Sequence, residues 1–398
     1  MSTDPRTAGA PRALTVAHLV QPVDGGVARA VADLVRAQTG AGTRAVVLCP
    51  PGGRLARDVR AAGAGVRLWL AGRGPGADLP WEVLCAARLL GRLRPDVVHL
   101  HSAEAGLAGR LALRGRVPTV LQPHAWSFQA LTGPAAAAAR RWERYAARWT
   151  GRFLCVSEAE RAEGERAGVR GRYAVVPNGV DPARHPVAGS VDRRQARAAL
   201  AMVHGLPQRA PLVVCVGRLT RQKGQDVLLR AWPRVAARVP GARLALVGEG
   251  PEGAALRRAA GPGVLLAGHS DDTRPWYAAA DVVVQPSRWE GMALAPLEAM
   301  AAGRPVVLTD VGGARESLPD GHAPHCLVPP ESPDALGDAL VALLADAGLR
   351  RRLGERAAGH VREAHDVRRA ADACARVYRE LTSVVAPRVP DDGERARR

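Results

Sequence analysis

The amino-acid sequence predicts an α/β protein made of two doubly wound, Rossmann-like parallel-sheet domains in tandem, facing a central crevice. Three observations predict it: short apolar runs that alternate with helical stretches, glycine-rich turns after those runs, and a break at residues 177–186 that splits the series in two. Strands buried on both faces read as continuous Val and Leu rather than as alternation, and helices between them cover the sheet.

Residues 14–20 form the first apolar run, closed by Gln21-Pro-Val-Asp-Gly-Gly26; Val27, Ala30, Val31, Leu34 and Val35 then share one helical face. The unit recurs with strands expected at 44–49, 66–70, 96–101, 119–122 and 152–157. Asn-Gly, Asp-Pro and His-Pro pairs at 177–186 mark an interdomain linker, and a polar helix with Arg193, Arg194 and Arg197 follows. A second series places strands at 212–216, 243–247, 264–267, 282–285 and 306–309. Residues 335–385 read as mostly helical. The expected divisions are 1–185, 186–370, and 371–398, the last a helix packing back toward the first domain with a charged, disordered tail from 387.

Of the 398 residues 47% are hydrophobic and 24% charged, the balance of a folded globular chain, which excludes a disordered or fibrous protein. The six cysteines are far apart, with no C-x-x-C, so they are expected as small buried hydrophobes in a reducing compartment and not as a disulfide frame or zinc site. No apolar stretch approaches the ~20 residues of a membrane span, and the polar first twelve residues are unlike a signal peptide. A soluble, cytoplasmic protein is expected. The net charge of +18 is concentrated early: 25 of 56 basic residues but only 13 of 38 acidic ones precede Asp181. With 4% aromatic residues and no nucleic-acid-binding signature, that charge points to anionic substrates or an acidic membrane surface; a basic nucleic-acid-binding protein is the alternative reading of the charge, and no nucleic-acid partner is expected.

The chain contains no Ile, one Asn and one Lys, the mark of a codon bias toward G and C. Asn178 and Lys223 therefore stand where Asp or Arg does not serve. Lys223 lies in Gly217-Arg-Leu-Thr-Arg-Gln-Lys-Gly224, between an apolar strand and a helix. Arg218 and Lys223 thus flank a helix N-terminus, where backbone N–H groups and the dipole favour a diphosphate. Pro286-Ser-Arg-Trp-Glu-Gly-Met-Ala-Leu-Ala-Pro-Leu-Glu298 puts Glu290 in a loop and Glu298 two helical turns away. Such carboxylates are too far apart to share a proton and suit hydroxyl pairs on different parts of one ligand, while the N–H groups of Gly291, Met292, Ala293 and Leu294 can meet phosphate.

In order and spacing these residues resemble the retaining glycosyltransferases of family 4, which have the GT-B fold. The resemblance runs through Gly25-Gly26, His99-Leu-His101, Pro123-His-Ala125, Val156-Ser-Glu158, Val176-Pro-Asn-Gly-Val-Asp181, Val216-Gly-Arg218 with Lys223, Val247-Gly-Glu-Gly250 and Glu290-x7-Glu298. It implies transfer of a sugar from a UDP- or GDP-sugar to a glycan or lipid-linked acceptor, with a first domain for the acceptor and a second for the nucleotide sugar. It also implies front-face attack, in which the departing phosphate oxygen takes the acceptor proton. It carries catalytic roles to His124 beside the sugar, Arg218 and Lys223 on the diphosphate, and Glu290 on the sugar. Donor contacts fall to Gly25 and Gly26 over the phosphates, to Gly217, Gly250, Gly291, Met292, Ala293 and Leu294, and to Glu298 on the ribose. Met292-Ala293 departs from the larger apolar residue followed by Gly in many members, which leaves the sugar open. No D-x-D stands in the sequence, so no metal or other cofactor is expected; Asp271-Asp272 and Asp391-Asp392 are merely adjacent acids.

Other readings meet the same residues. Gly248-Glu-Gly-Pro-Glu-Gly253 matches a dinucleotide-binding fingerprint, which would make a NAD-dependent oxidoreductase, yet Pro251 removes an N–H donor and two glutamates would face the pyrophosphate. His99 and His101 share a strand face and could begin a metal site, but no third ligand is evident. Asn178 reads as a turn former in left-handed backbone at a hinge. Arg141, Arg144 and Arg148 recur at helical spacing opposite Trp142, Tyr145 and Trp149, either as a solvated face or as a contact with an anionic membrane at the inner face of the plasma membrane.

Overall fold

A computed structural model describes residues 13–385 except Arg73 and Pro75. The charged segment expected to be disordered, with Asp391-Asp392, lies outside the described residues. The first seven strands are β1 (Thr15–Val20), β2 (Arg44–Cys49), β3 (Gly65–Leu68), β4 (Val97–His101), β5 (Thr119–Gln122), β6 (Arg152–Cys155) and β7 (Tyr173–Val175). They form one parallel sheet in the order β3-β2-β1-β4-β5-β6-β7. The next six are β8 (Leu212–Val216), β9 (Arg243–Val247), β10 (Val264–Gly268), β11 (Val282–Gln285), β12 (Val306–Thr309) and β13 (Leu327–Val328), again parallel, in the order β10-β9-β8-β11-β12-β13. β7 and β13 are absent from the expected series. They are edge strands of three and two residues, too short to carry a pattern of their own.

In each sheet the winding reverses once, between β1 and β4 and between β8 and β11. Helices diverge there, so the carboxyl ends of the strands open a crevice. Val, Leu and Ala fill the sheets because both faces are covered: Val16, Leu19, Val47, Leu100, Val214, Leu246 and Val284 are fully buried. The six cysteines are all free thiols, five of them buried.

The chain passes between the lobes twice at one place. Val180 N–H donates to His365 O at 2.8 Å and Val367 N–H donates to Val180 O at 3.0 Å. Gly179 makes this possible, since a Cβ there would lie 2.6 Å from Val367 Cα. Helix Val367–Val385 then runs over the first lobe, where Ala371, Cys374, Val377 and Tyr378 pack with Val16, Val97, Val120 and Leu154. Asn178 does not adopt left-handed backbone. It bridges the lobes instead, its amide donating to Met292 O at 2.7 Å.

Two groups of arginines find partners within the chain. The polar helix Ser190–His204 turns Arg193 and Arg197 inward onto Asp281 at 2.6 and 2.8 Å. Asp281 also accepts Leu212 N–H at 2.8 Å, tying that helix to the first residue of β8. The arginines of helix Gly133–Ala146 and the turn after it do not all oppose the aromatic residues. The helix tightens to a 3-10 turn at Ala147–Trp149, and the Arg148 guanidinium sits 3.6 Å over the Tyr145 ring.

Removing one partner from a buried pair leaves an uncompensated charge, a larger loss than the pair's own net contribution. Asp281→Ala is therefore expected to lower the unfolding free energy by about 3 kcal/mol, read as a drop in the urea midpoint with the slope unchanged.

Candidate functional site

The crevice is walled by loops that follow β1, β4 and β5 in the first lobe and β8, β9, β11 and β12 in the second. Gly25 (φ 84°) opens helix Gly25–Gly40, whose first turn has no side-chain cap. Across the gap Arg218 comes so close that a Cβ on Gly25 would lie 3.8 Å from its Cδ. Gly217 is packed in the same way against the Lys223 stem, at 3.7 Å. The Lys223 ammonium is paired with Glu290, and Ser287 Oγ donates to the same carboxylate oxygen at 2.7 Å. Glycine, arginine, lysine and the first glutamate of the sequence reading are thus brought together.

Glu298 is held elsewhere, with partners the sequence reading missed. It is buried in helix Leu294–Ala301; Arg29 of the first lobe donates to Oε1 at 2.7 Å and Tyr277 Oη donates to Oε2 at 2.7 Å. Glu298 holds the Arg29 guanidinium above the usual arginine range, and burial pushes the Tyr277 hydroxyl up. Arg29 sits five positions into an ordinary amphipathic helix in an arginine-rich chain, so no local signal distinguishes it.

The glycine fingerprint at 248–253 has another use than a dinucleotide. A Cβ on Gly248 would lie 2.1 Å from Gly217 O, and one on Gly250 2.3 Å from Leu219 O. Leu219 N–H donates to Glu249 O at 2.9 Å. Those glycines let two loops of one lobe close on each other, and the loop carrying Arg218 is fixed by that closure.

His124 and Ala125 stand at the carboxyl end of β5 with φ of 55° and 89°, left-handed backbone that costs a non-glycine residue roughly 1–3 kcal/mol. Glu160 holds this corner: its Oε1 accepts Ala125 N–H at 2.5 Å and its Oε2 accepts Val156 N–H at 2.7 Å. Burial pushes the Glu160 carboxyl up to about 7, against the pull of those two donors. Gly291 meets the same corner, since a Cβ there would lie 2.9 Å from Glu160 Oε1 and 3.1 Å from Ala125 N. Met292 is buried behind it, while Ala293 and Leu294 begin the helix that carries Glu298.

The third histidine absent from the sequence reading is His18, brought from β1 beside β4. His18 Nδ1 lies 3.0 Å from His101 Nε2, and His101 Nδ1 lies 3.2 Å from His124 Nε2. His18 Nε2 is 2.9 Å from Gln38 Oε1, and His99 Nδ1 is 2.7 Å from Tyr378 Oη. The ligand atoms of His18, His99 and His101 are close enough to hold one cation. Doing so would break the His18–His101 bond, and five of the six ring nitrogens already have partners. Only His99 Nε2 has none. Burial pushes His18 and His124 down to about 4, and His99 and His101 well below their ordinary value.

A histidine that resists protonation when folded but takes a proton near 6.5 when unfolded makes the unfolded chain bind more protons between those values. Stability then falls as pH drops below 6.5. Glu160 acts oppositely, its contribution being lost as pH rises from 4.5 toward 7, but it is one group against four rings. The melting temperature is expected to fall steadily from pH 6.5 to 4.5, and a flat profile by scanning calorimetry would contradict neutral histidines here.

Residues 24–184 match the family described as Glycosyltransferase Family 4, and residues 210–346 match Glycosyl transferases group 1. D-inositol 3-phosphate glycosyltransferase of Nocardia farcinica is 35% identical over 294 residues, 67% of this chain and 62% of that protein. The match therefore spans less than two thirds of that relative's length. A GDP-mannose-dependent alpha-(1-6)-phosphatidylinositol monomannoside mannosyltransferase of Mycolicibacterium smegmatis is 40% identical over 166 residues, 38% of this chain and 43% of that protein. Among solved structures, Anabaena HepE in complex with UDP and glucose superposes with a TM-score of 0.79 at 21% identity, covering 92% of this chain and all of that one. That likeness shows the fold, which is GT-B. The two family matches, one over each lobe, establish that the chain belongs to glycosyltransferase family 4.

Proposed function

We propose that this chain is a retaining glycosyltransferase that moves a sugar from a UDP- or GDP-sugar to a glycan or lipid-linked acceptor. The observation that carries the reading is the cluster at the crevice: Arg218 reaching Gly25, and Lys223 paired with Glu290 between two sheet switch points. Departure of a nucleoside diphosphate develops negative charge on its phosphate oxygens. Arg218, Lys223 and the uncapped N-termini of helices Gly25–Gly40 and Leu294–Ala301 offset that charge where it forms. Cations and backbone donors of this kind do the work of a metal, so transfer is metal-independent in this reading.

Glu298, set apart from Lys223, suits the ribose hydroxyls, with Arg29 and Tyr277 exchanging their bonds to it as the nucleotide binds. Glu290 sits beside the lysine that meets the diphosphate, the place for a hydroxyl of the donor sugar. His124, uncharged, borders the same space and adds no positive charge next to the anomeric carbon. The names of the relatives support a GDP donor and an acceptor bearing a polyol phosphate, and the UDP bound in the HepE structure supports a UDP donor. The exposed Arg141, Arg144 and Arg148 support delivery of such an acceptor from an anionic membrane at the cytoplasmic face.

A panel of nucleotides and nucleotide sugars tests the reading, because a ligand that binds only the folded chain raises the melting temperature by mass action. One UDP- or GDP-sugar is expected to raise it and to be consumed with an acceptor in the presence of EDTA; no shift with any of them would overturn it. Lys223→Ala is expected to lower kcat about a hundredfold with little change in melting temperature, as for loss of one transition-state donor. Glu298→Ala is expected to weaken donor binding about tenfold and also to destabilise the fold, since Arg29 and Tyr277 lose their acceptor. Replacing Arg141, Arg144 and Arg148 together by Ala is expected to abolish sedimentation with phosphatidylglycerol vesicles at low salt while leaving nucleotide-sugar binding intact.

A further inference from the structure

We propose that a line of buried hydrogen bonds, Tyr378–Gln38–His18–His101, positions His124 by holding its proton on Nε2, so that the ring offers a bare Nδ1 as acceptor to a donor-sugar hydroxyl. The line begins on the last helix, 254 positions after His124 in the chain, and ends at the crevice. Its residues are positioning residues, not catalytic ones. The inference rests on the proposed function for its purpose, but not for its existence.

The polarity follows from counting protons. Each neutral imidazole carries one proton, so each ring can donate from one nitrogen only. Tyr378 Oη also carries one proton and stands 2.7 Å from His99 Nδ1 and 3.2 Å from Gln38 Nε2. His99 Nε2 is buried without a partner, so His99 Nδ1 is the ring atom that ties it to the line. With the Gln38 amide donating to Tyr378 Oη, the one proton of Tyr378 is left for His99 Nδ1, which accepts it. The Tyr378 oxygen in turn accepts from the Gln38 amide nitrogen, which turns Gln38 Oε1 toward His18.

From there each bond dictates the next. His18 donates Nε2–H to Gln38 Oε1 at 2.9 Å, leaving Nδ1 bare. His101 donates Nε2–H to His18 Nδ1 at 3.0 Å, leaving its own Nδ1 bare. His124 donates Nε2–H to His101 Nδ1 at 3.2 Å. Its Nδ1 has no protein partner among the described residues, and His124 is the one ring of the four that is not fully buried. Reversing a single link would leave two lone pairs or two protons opposed inside the core, where an unmet bond is costly. The order is therefore held as a unit, and it holds the left-handed His124 in one ring orientation as well.

Long-range proton–nitrogen correlation spectra of the full chain labelled with 15N-histidine read the tautomers directly at pH 7.5, with His124 assigned through His124→Asn. The expected wild-type spectrum has His124 protonated on Nε2. Gln38→Leu, which removes the anchor about as far from the crevice as His18 allows, is expected to populate the Nδ1–H form; Gln38→Glu, which can only accept from His18, is expected to keep Nε2–H. Transfer should follow the same order: kcat about tenfold lower in Gln38→Leu with donor KM within twofold, and restored in Gln38→Glu. If Gln38→Leu fails to fold, Tyr378→Phe, which removes the first donor of the line, is read in the same way. A His124 protonated on Nδ1 in the wild type, or one whose tautomer ignores Gln38→Leu or Tyr378→Phe, overturns the proposal. Failure of every nucleotide sugar to react would instead overturn the proposed function and leave the tautomer result standing.

Discussion

The crevice depends on the close approach of Gly291 to the first lobe. Its carbonyl accepts Ser157 Oγ at 3.2 Å and Gly313 N–H at 2.7 Å, and its α-carbon faces Val156, Glu160 and Ala125 at distances that leave no room for a side chain. One contact thereby joins the loop that carries Glu290, the corner that carries His124, and the helix start capped by Ser157. A second acid follows the same logic: Glu316 of the second lobe accepts Glu158 N–H at 2.7 Å and Ala159 N–H at 2.9 Å, placing a carboxylate on the N-terminus of helix Glu158–Arg166. Two doubly wound domains could meet at many angles. These contacts select one.

That selection explains why strain sits where it does. His124 and Ala125 hold left-handed backbone without being glycine, and Ser102, next to His101, does so as well, at φ 71°. Each lies directly after a central strand, where the backbone must turn sharply to present a side chain to the gap. Such conformations persist only when neighbours over-determine them. Glu160 and Gly291 do this for Ala125, and the histidine line does it for the ring of His124. Rigidity at this corner is paid by buried polar groups, which also make it sensitive to acid.

Much of this was legible from residue order. Strand positions followed from Val and Leu runs because burial on both faces leaves no other composition, and the loops carrying Arg218, Lys223, Glu290 and His124 were found at strand ends because that is where a doubly wound sheet exposes its backbone. What was not legible is long-range pairing. Glu298 is 269 positions from Arg29, His18 is 83 from His101, and Tyr378 is 279 from His99. Nothing local distinguishes Arg29 among 55 arginines, or His18 inside an apolar strand. Glu160 was hidden for another reason: its neighbour Glu158 stood in the recognisable motif, while Glu160 turns inward within the same helical turn.

Glu290 and Glu298, with seven residues between them in the sequence pattern, are given different surroundings by the fold. Glu290 lies on a loop with a flexible ammonium as partner, and Glu298 lies in a helix with a planar guanidinium and a phenol as partners. The first carboxylate can change partner by a side-chain rotation of Lys223 within one lobe. The second cannot release Arg29 without altering a bond between lobes, because Arg29 belongs to helix Gly25–Gly40. Occupation of Glu298 by a ligand hydroxyl would thus be coupled to the position of the helix whose N-terminus borders Arg218, whereas occupation of Glu290 would not. Coupling of this kind would require that the ligand bind one arrangement of the lobes better than the other, and Arg29 is the side chain that joins Glu298 to the first lobe.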